Sequence, residues 1–350
     1  MESTRRLVYD LDLPELKNQV EAWGQPAYRA VQIWQGLYKQ LWPAAELFTN
    51  LPVSLRLQLG DQFNFTALTP DQVLQSNDRE TTKTLFNLND NLAIEAVLMK
   101  YNDRRTLCIS TQAGCALGCI FCATGQMGFK RNLTSGEILE QVLYYARLLK
   151  MESEHVTNIV VMGMGEPFHN YDATMSAINR LNNPQGMMLG ERRFTISTVG
   201  LVPMIRKFAE EKRQINLAIS LHAANDSLRS KLLPVNRKYP ISELITACRE
   251  YVEKTKRRLT FEWALIYGVN DSINDARELA NLLGGLLCHV NVIPLNPTHH
   301  YAGQATTRQR ANEFRNTLME AGIPCTIRLR RGIDIEAGCG QLAIEANPAP

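Results

Sequence analysis

No stretch of 18 consecutive apolar residues occurs in the 350-residue chain, so no transmembrane helix is expected. The N-terminus, Met1-Glu2-Ser3-Thr4-Arg5-Arg6, leads into no apolar segment, so no secretory signal is expected either. Internal repeats and low-complexity tracts are missing, which excludes a repeat array. Strong charge of one sign is also missing. A net charge of +3 permits a nucleic-acid partner without demanding one. Cysteine is sparse, at eight residues, too few for a disulfide scaffold. The expected home is the reducing cytoplasm, where clustered thiols serve as metal ligands or catalytic groups.

The hydrophobic fraction, 45%, supports a core of normal size, and the length suits one large α/β domain with a smaller one. Residues 14–60 read as helical. In "YRAVQIWQGLYKQL", Val31, Trp34, Leu37 and Leu41 recur at helical spacing, and "LPVSLRLQLGDQF" reads as a second short helix. Over 62–100 the pattern alternates, with a turn at Asn87–Asn91, which predicts a hairpin. From about residue 105 a strand–helix rhythm begins. Strands are predicted at 105–111, 157–163, 193–198, 215–221, 258–264, 288–294 and 324–329. The first helix between them opens on a capping box, Thr134-x-x-Glu137, followed by the stripe Ile138, Val142, Tyr145 and Leu149. A later one, 307–321, carries Ala311, Phe314 and Leu318 on one face and stops at Gly322. Such repetition implies a parallel sheet with right-handed crossovers. No G-x-G-x-x-G follows the first strand, so a barrel or partial barrel is favoured over a dinucleotide fold.

The polar oddities gather where strands end. A cysteine loop follows the first strand and "GMGEP" the second, while "STVG", "SLH" and "PLNP" end later ones. In a parallel barrel those ends form the active-site face. The loop "GCALGCIFC" holds Cys115, Cys119 and Cys122, with Gly114 and Gly118 allowing a tight fold. Zinc normally takes two pairs of ligands, and no second pair lies at matching distance. Three thiolates suit an iron–sulfur cluster with one iron left open to a small molecule.

C-x3-C-x2-C after the first strand of a βα barrel resembles the radical S-adenosylmethionine (SAM) superfamily. In that superfamily the open iron binds the amino and carboxylate groups of SAM, and an electron from the cluster yields a 5′-deoxyadenosyl radical. Further strings narrow the likeness: "GCALGCIFCATGQMGFKRNLT", "VMGMGEPFHNYD", "RRFTISTVGLVP", "NLAISLHA", "FEWALIYGVNDS", "IPLNP" and "GIDIEAGCGQL". Together, over about residues 20–343, they resemble the RlmN/Cfr adenosine methyltransferases, and the "GEP" form is closer to the RlmN branch. The resemblance implies an α/β fold: a partial (β/α)6 radical-SAM barrel with a small helical N-terminal domain (1–61) and a hairpin extension (62–104). The core, with a C-terminal methyl-carrier loop, would span 105–345.

The implied reaction is methylation of C2 of an adenosine in 23S rRNA, and of an adenosine beside the anticodon in tRNA. C2 of adenine is electron-poor and cannot attack the methyl of SAM as a nucleophile, so a cofactor must supply a radical route. The family uses a [4Fe-4S] cluster held by Cys115, Cys119 and Cys122, and two SAM molecules per turnover. By the same resemblance Cys339 is the methylated cysteine, and Cys108 resolves the protein–RNA adduct through a transient disulfide. Glu95 accepts the C2 proton. Gly165, Glu166, Ser197, Ser220, Leu221, His222 and Asn296 contact SAM by side chain or main chain.

Without the resemblance several of these residues read as ordinary. Cys108 sits on an apolar strand like a core residue, and His222 reads as a satisfied core histidine. Glu95 fits the wet face of a hairpin as readily as a buried site. The glycines flanking Cys339 suit a mobile loop. Basic clusters at Lys130-Arg131, Arg192-Arg193 and Arg328/Arg330/Arg331 are placed at the predicted mouth, where phosphates would position a flipped adenosine. His299-His300-Tyr301 offers a stacking surface or a plain loop. A reducing donor such as flavodoxin and a monomeric state complete the expectation. The alternatives are a Cfr-like C8 methyltransferase, a radical SAM enzyme on a non-RNA substrate, and a zinc-stabilised RNA-binding module.

Overall fold

The structure is a computed structural model that describes residues 5–342, so 343–345 of the expected core lie outside the described residues. The N-terminal region holds three helices, α1 (Leu13–Ala22), α2 (Tyr28–Gln35) and α3 (Val53–Gln62). Asp12 and Glu15 form a capping box that starts α1. Trp34, Tyr38 and Phe48 are buried between the helices and belong to the same apolar core as the sheet. The docking is polar at its edge. The Asp10 carboxylate accepts from the Gly136 backbone amide at 2.7 Å, at the N-terminal end of the long helix α4 (Ser135–Met151). A negative charge at that helix end is favourable.

Ten strands form one sheet in which spatial order follows chain order. They are β1 (Leu68–Gln75), β2 (Thr81–Leu88), β3 (Ala93–Lys100), β4 (Arg105–Cys108), β5 (Asn158–Val161), β6 (Phe194–Thr198), β7 (Asn216–Ser220), β8 (Leu259–Leu265), β9 (Cys288–Pro294) and β10 (Cys325–Ile327). From β4 to β10 every pairing is parallel, and each strand lies beside its predecessor. A doubly wound sheet would reverse order part-way, whereas this progression is that of a partial barrel. The crossovers are helical: α4, α5 (Tyr171–Asn182), α6 (Val202–Glu210), α7 (Ile241–Thr255), α8 (Ile273–Leu283) and α9 (Arg308–Glu320). The strands are short apolar runs; in β8 all residues but Thr260 are buried.

Two expectations are corrected. The hairpin over 62–100 is a three-stranded antiparallel meander, and its last strand, β3, pairs with β4. The missed strand, β1, is an exposed edge with Pro70 and few apolar residues. The second correction concerns Arg192-Arg193. They immediately precede β6, at the N-terminal end of the barrel, opposite the face where strands β4–β9 end.

Residues 328–342 run from β9 on one side of the sheet to the β1–β2 turn and β2 on the other. The amide of Arg328 donates to Val292 on β9, Arg331 pairs with Glu80, and Lys83 on β2 donates to the Glu336 carbonyl at 3.3 Å. The segment then reaches the cluster loop, where the Ala123 amide donates to the Gly340 carbonyl at 2.8 Å. This strap thus links the two sides of the sheet to the cluster loop.

Candidate active site

The cysteine loop rests on a two-stranded ribbon, Gln112–Gly114 paired with Phe129–Asn132. Gly114 has φ +74°, and a Cβ there would stand 1.9 Å from the Gly128 carbonyl oxygen, so only glycine fits. The carbonyl of Gly128 also accepts the Cys115 amide at 3.1 Å, and Cys119 accepts the Cys122 amide at 3.2 Å. This turn brings Cys115, Cys119 and Cys122 onto one cavity. Burial pushes the Cys115 thiol up to about 12 and raises Cys119 and Cys122 as well. All three therefore stay protonated until a metal displaces the protons.

Among the described residues no three His, Cys, Asp or Glu side chains close to the spacing that holds a single metal ion. Three soft sulfurs lining one cavity are the ligand set of an iron–sulfur cluster with one iron left open.

The far wall of the cavity is polar and is built at the C-terminal ends of the strands. Gly165, Glu166, Ser197, Ser220, His222 and Asn296 all line it. Glu166 is buried, and its carboxylate accepts from the amides of Phe168 at 3.0 Å and Val199 at 2.9 Å. Burial outweighs those bonds and raises its pKa to about 7. His222 has φ +60°, and its Nδ1 accepts the Ala264 amide at 2.9 Å. Burial and the Arg229 guanidinium lower its pKa to about 3, so the ring is neutral and Nε2 is the donor. Asn296 donates through Nδ2 to the Cys339 carbonyl at 3.0 Å, while its buried Oδ1 has no hydrogen-bond partner within the protein. An orphaned acceptor, a buried carboxylate and a fixed donor around one void fit a polar cofactor bearing amino and hydroxyl groups.

Cys339 lies in the wall between this cavity and an adjoining one that also holds Cys108. The two thiols are 231 positions apart in sequence (339 − 108) and meet here. The loop around Cys339 is anchored rather than free. Gln341 accepts the Gly338 amide at 3.0 Å and donates to the Pro297 carbonyl at 3.0 Å. A Cβ at Gly338 would stand 2.5 Å from Asn296 Nδ2, so that glycine serves close approach rather than looseness. Arg328 shares the adjoining cavity and favours the thiolates of both cysteines; Cys108 is buried, which keeps its thiol raised overall, whereas Cys339 is exposed.

Two expected site residues line neither cavity. The main chain of Leu221 is engaged, its amide with Glu262 at 3.1 Å and its carbonyl with Arg229 at 3.1 Å. Glu95 is buried and pairs with Lys83 at 2.9 Å. Cys108 is opposite Val97 in the register, so Glu95, two residues along, faces the same side of the sheet as Cys108. Arg131 is taken up by Glu137 and Asp90, which makes it a clamp on the ribbon rather than a mouth residue.

Glu262 was missed. Its carboxylate lines the cofactor cavity, accepts from Asn291 at 3.0 Å, and keeps one buried oxygen without a hydrogen bond. The signal existed: a carboxylate inside the apolar string "LTFEWAL" is as unusual as Glu95 in its own strand.

The Radical SAM superfamily matches residues 109–283. A probable dual-specificity RNA methyltransferase RlmN of Chloroflexus aurantiacus is 47% identical, covering 97% of this chain and 93% of that protein. The dual-specificity RNA methyltransferase RlmN 1 of Myxococcus xanthus is also 47% identical, covering 96% and 93%. A crystal structure of a radical SAM methyltransferase from Sphaerobacter thermophilus is 53% identical, with a TM-score of 0.94 over 96% of this chain and 99% of that one.

Proposed function

Because the chain belongs to the RlmN family of radical SAM RNA methyltransferases, we propose that it methylates C2 of adenosine in 23S rRNA and in tRNA. The observation that carries this reading is the juxtaposition of Cys108 and Cys339 in one cavity beside the three-cysteine void. A radical SAM enzyme of another kind needs the three cysteines but not this second pair.

When bound, the [4Fe-4S] cluster and SAM supply an oxidising carbon radical and a transferable methyl group. Cys115, Cys119 and Cys122 would hold the cluster. Glu166 would accept from the amino group of SAM, with Ser197, Ser220, His222 and Asn296 fixing the remainder. Cys339 would carry on its sulfur a methyl group taken from SAM, and would hold that carbon where it can bond C2 of adenine once a hydrogen atom has been lost from it. Glu95 would take the C2 proton, with the accompanying electron passing to the bound cofactors. Cys108 would then attack the Cys339 sulfur; the released carbon takes up a proton to become the methyl group of the product, and the disulfide left behind is reopened by an external reductant, while a donor such as flavodoxin would supply electrons to the bound cluster. A cytoplasmic monomer suits this role.

Replacing Cys339 with alanine should abolish RNA methylation and leave the iron content unchanged, measured by iron analysis alongside nucleoside mass spectrometry. Replacing Cys108 with alanine should leave protein–RNA adduct uncleaved, visible as a denaturation-resistant band. Loss of iron in the first variant, or free product without adduct in the second, would contradict the assigned roles.

A further inference from the structure

A second large cavity, of about 930 Å³, opens at the opposite end of the barrel, among residues at the starts of strands β6 to β9. Its wall carries six cationic side chains, Arg104, Lys256, Arg257, Arg258, Arg328 and Arg331, against one carboxylate, Glu262. Three of them, Arg104, Arg257 and Arg258, belong to a pattern of which Arg105, Arg192 and Arg193 lie outside the cavity wall. Arginine pairs immediately precede three alternate strands: Arg104-Arg105 before and at the start of β4, Arg192-Arg193 before β6, and Arg257-Arg258 before β8. Several are committed elsewhere. Arg105 pairs with Glu154, and Arg257 donates to Gln214 and Asn216. Arg104 and Arg258 are exposed. The Tyr101 ring carries two guanidinium contacts, those of Arg104 at 5.1 Å and Arg331 at 4.3 Å from its centre.

The vestibule is continuous with the chemistry. It shares Val160, Met162 and Arg328 with the cavity that holds Cys108 and Cys339. Cys339 thus has the cofactor cavity on one side and a route to this cationic end on the other. Exposed arginines around a deep polar opening, with guanidinium planes on an aromatic ring, are suited to phosphates and unstacked bases.

Resting on the RNA methyltransferase reading, we propose that RNA docks on the N-terminal rim of the barrel and delivers its target base to Cys339 from that side. The cofactor and the RNA then approach from opposite ends. Backbone phosphates lie against Arg104 and Arg258, and the extruded base passes Arg328. The cluster-side cations near Lys130, where the sequence alone places the mouth, carry little of the binding.

The test compares wild type, Arg104→Glu/Arg258→Glu and Lys130→Glu, each anaerobically reconstituted. The probe is an in vitro transcribed rRNA fragment that the wild type methylates. RNA affinity is followed by fluorescence anisotropy across salt, and Cys339 methylation by SAM without RNA is measured in parallel. The rim variant should bind RNA more weakly, and its slope of log K against log salt should fall by about 2. Its Cys339 should still be methylated, which shows that the fold and cofactor site are intact. Normal binding by the rim variant, with the loss appearing in Lys130→Glu, would overturn the proposal and leave the methyltransferase reading standing. Failure of every protein, wild type included, to bind and methylate any RNA would overturn both.

Discussion

At the scale of single residues, burial decides chemistry. Glu166 lies near neutrality because burial outweighs two amide bonds. Its sign is clear: below about pH 7 the cofactor-free side chain is protonated, and above it the carboxylate is present to receive the amino group of SAM. SAM affinity of the cluster-loaded enzyme should therefore weaken as pH falls below about 7, by at most tenfold per pH unit. Glu166→Gln should bind weakly at all pH values and flatten the profile, measured by equilibrium dialysis. A profile unchanged by the substitution would remove Glu166 from the SAM site. His222 behaves differently, since a ring held neutral by burial contributes no titration above pH 5. These residues were legible because each ends a recognisable local string. Glu262 was legible only in part: a carboxylate in the apolar string "LTFEWAL" is unusual, but nothing there tells which cavity the side chain reaches.

At the scale of elements, the loop and its ribbon depend on one backbone conformation. Gly114→Ala would force a Cβ into the Gly128 carbonyl while holding a positive φ, at a cost on the order of 3 kcal/mol. The expected outcome is a folded protein by circular dichroism that retains less than about half of the wild-type iron. Full iron loading would show that the ribbon tolerates rearrangement. The strands of the barrel were readable because each is a short apolar run bounded by turns. The edge strand β1 was not, because it buries little and its pattern, "LTPDQVLQ", is that of a polar loop. The glycines around Cys339 are ambiguous for a related reason: glycine signals either freedom or close approach, and at Gly338 the close approach is to Asn296, 42 residues away (338 − 296).

At the scale of the whole molecule, the chain-ordered sheet puts cofactor groups at one end and arginines at the other, with Cys339 on a strap between them. The meeting of Cys108 and Cys339 was legible only through family resemblance, since no local pattern joins two thiols so distant in sequence. The predicted strand starts at 105, 193 and 258 already put arginines at the N-terminal end of the barrel, a consequence that placing Arg192-Arg193 at the mouth did not follow. The central claim, radical transfer of a methyl group to C2 of adenosine, is tested most directly by nucleoside mass spectrometry. Reconstituted protein is incubated anaerobically with SAM, a reductant and 23S rRNA or tRNA transcripts, and the RNA is digested. The account predicts 2-methyladenosine, formed by wild type and not by Cys339→Ala. Formation of 8-methyladenosine, or of 2-methyladenosine by the Cys339→Ala variant, would contradict it.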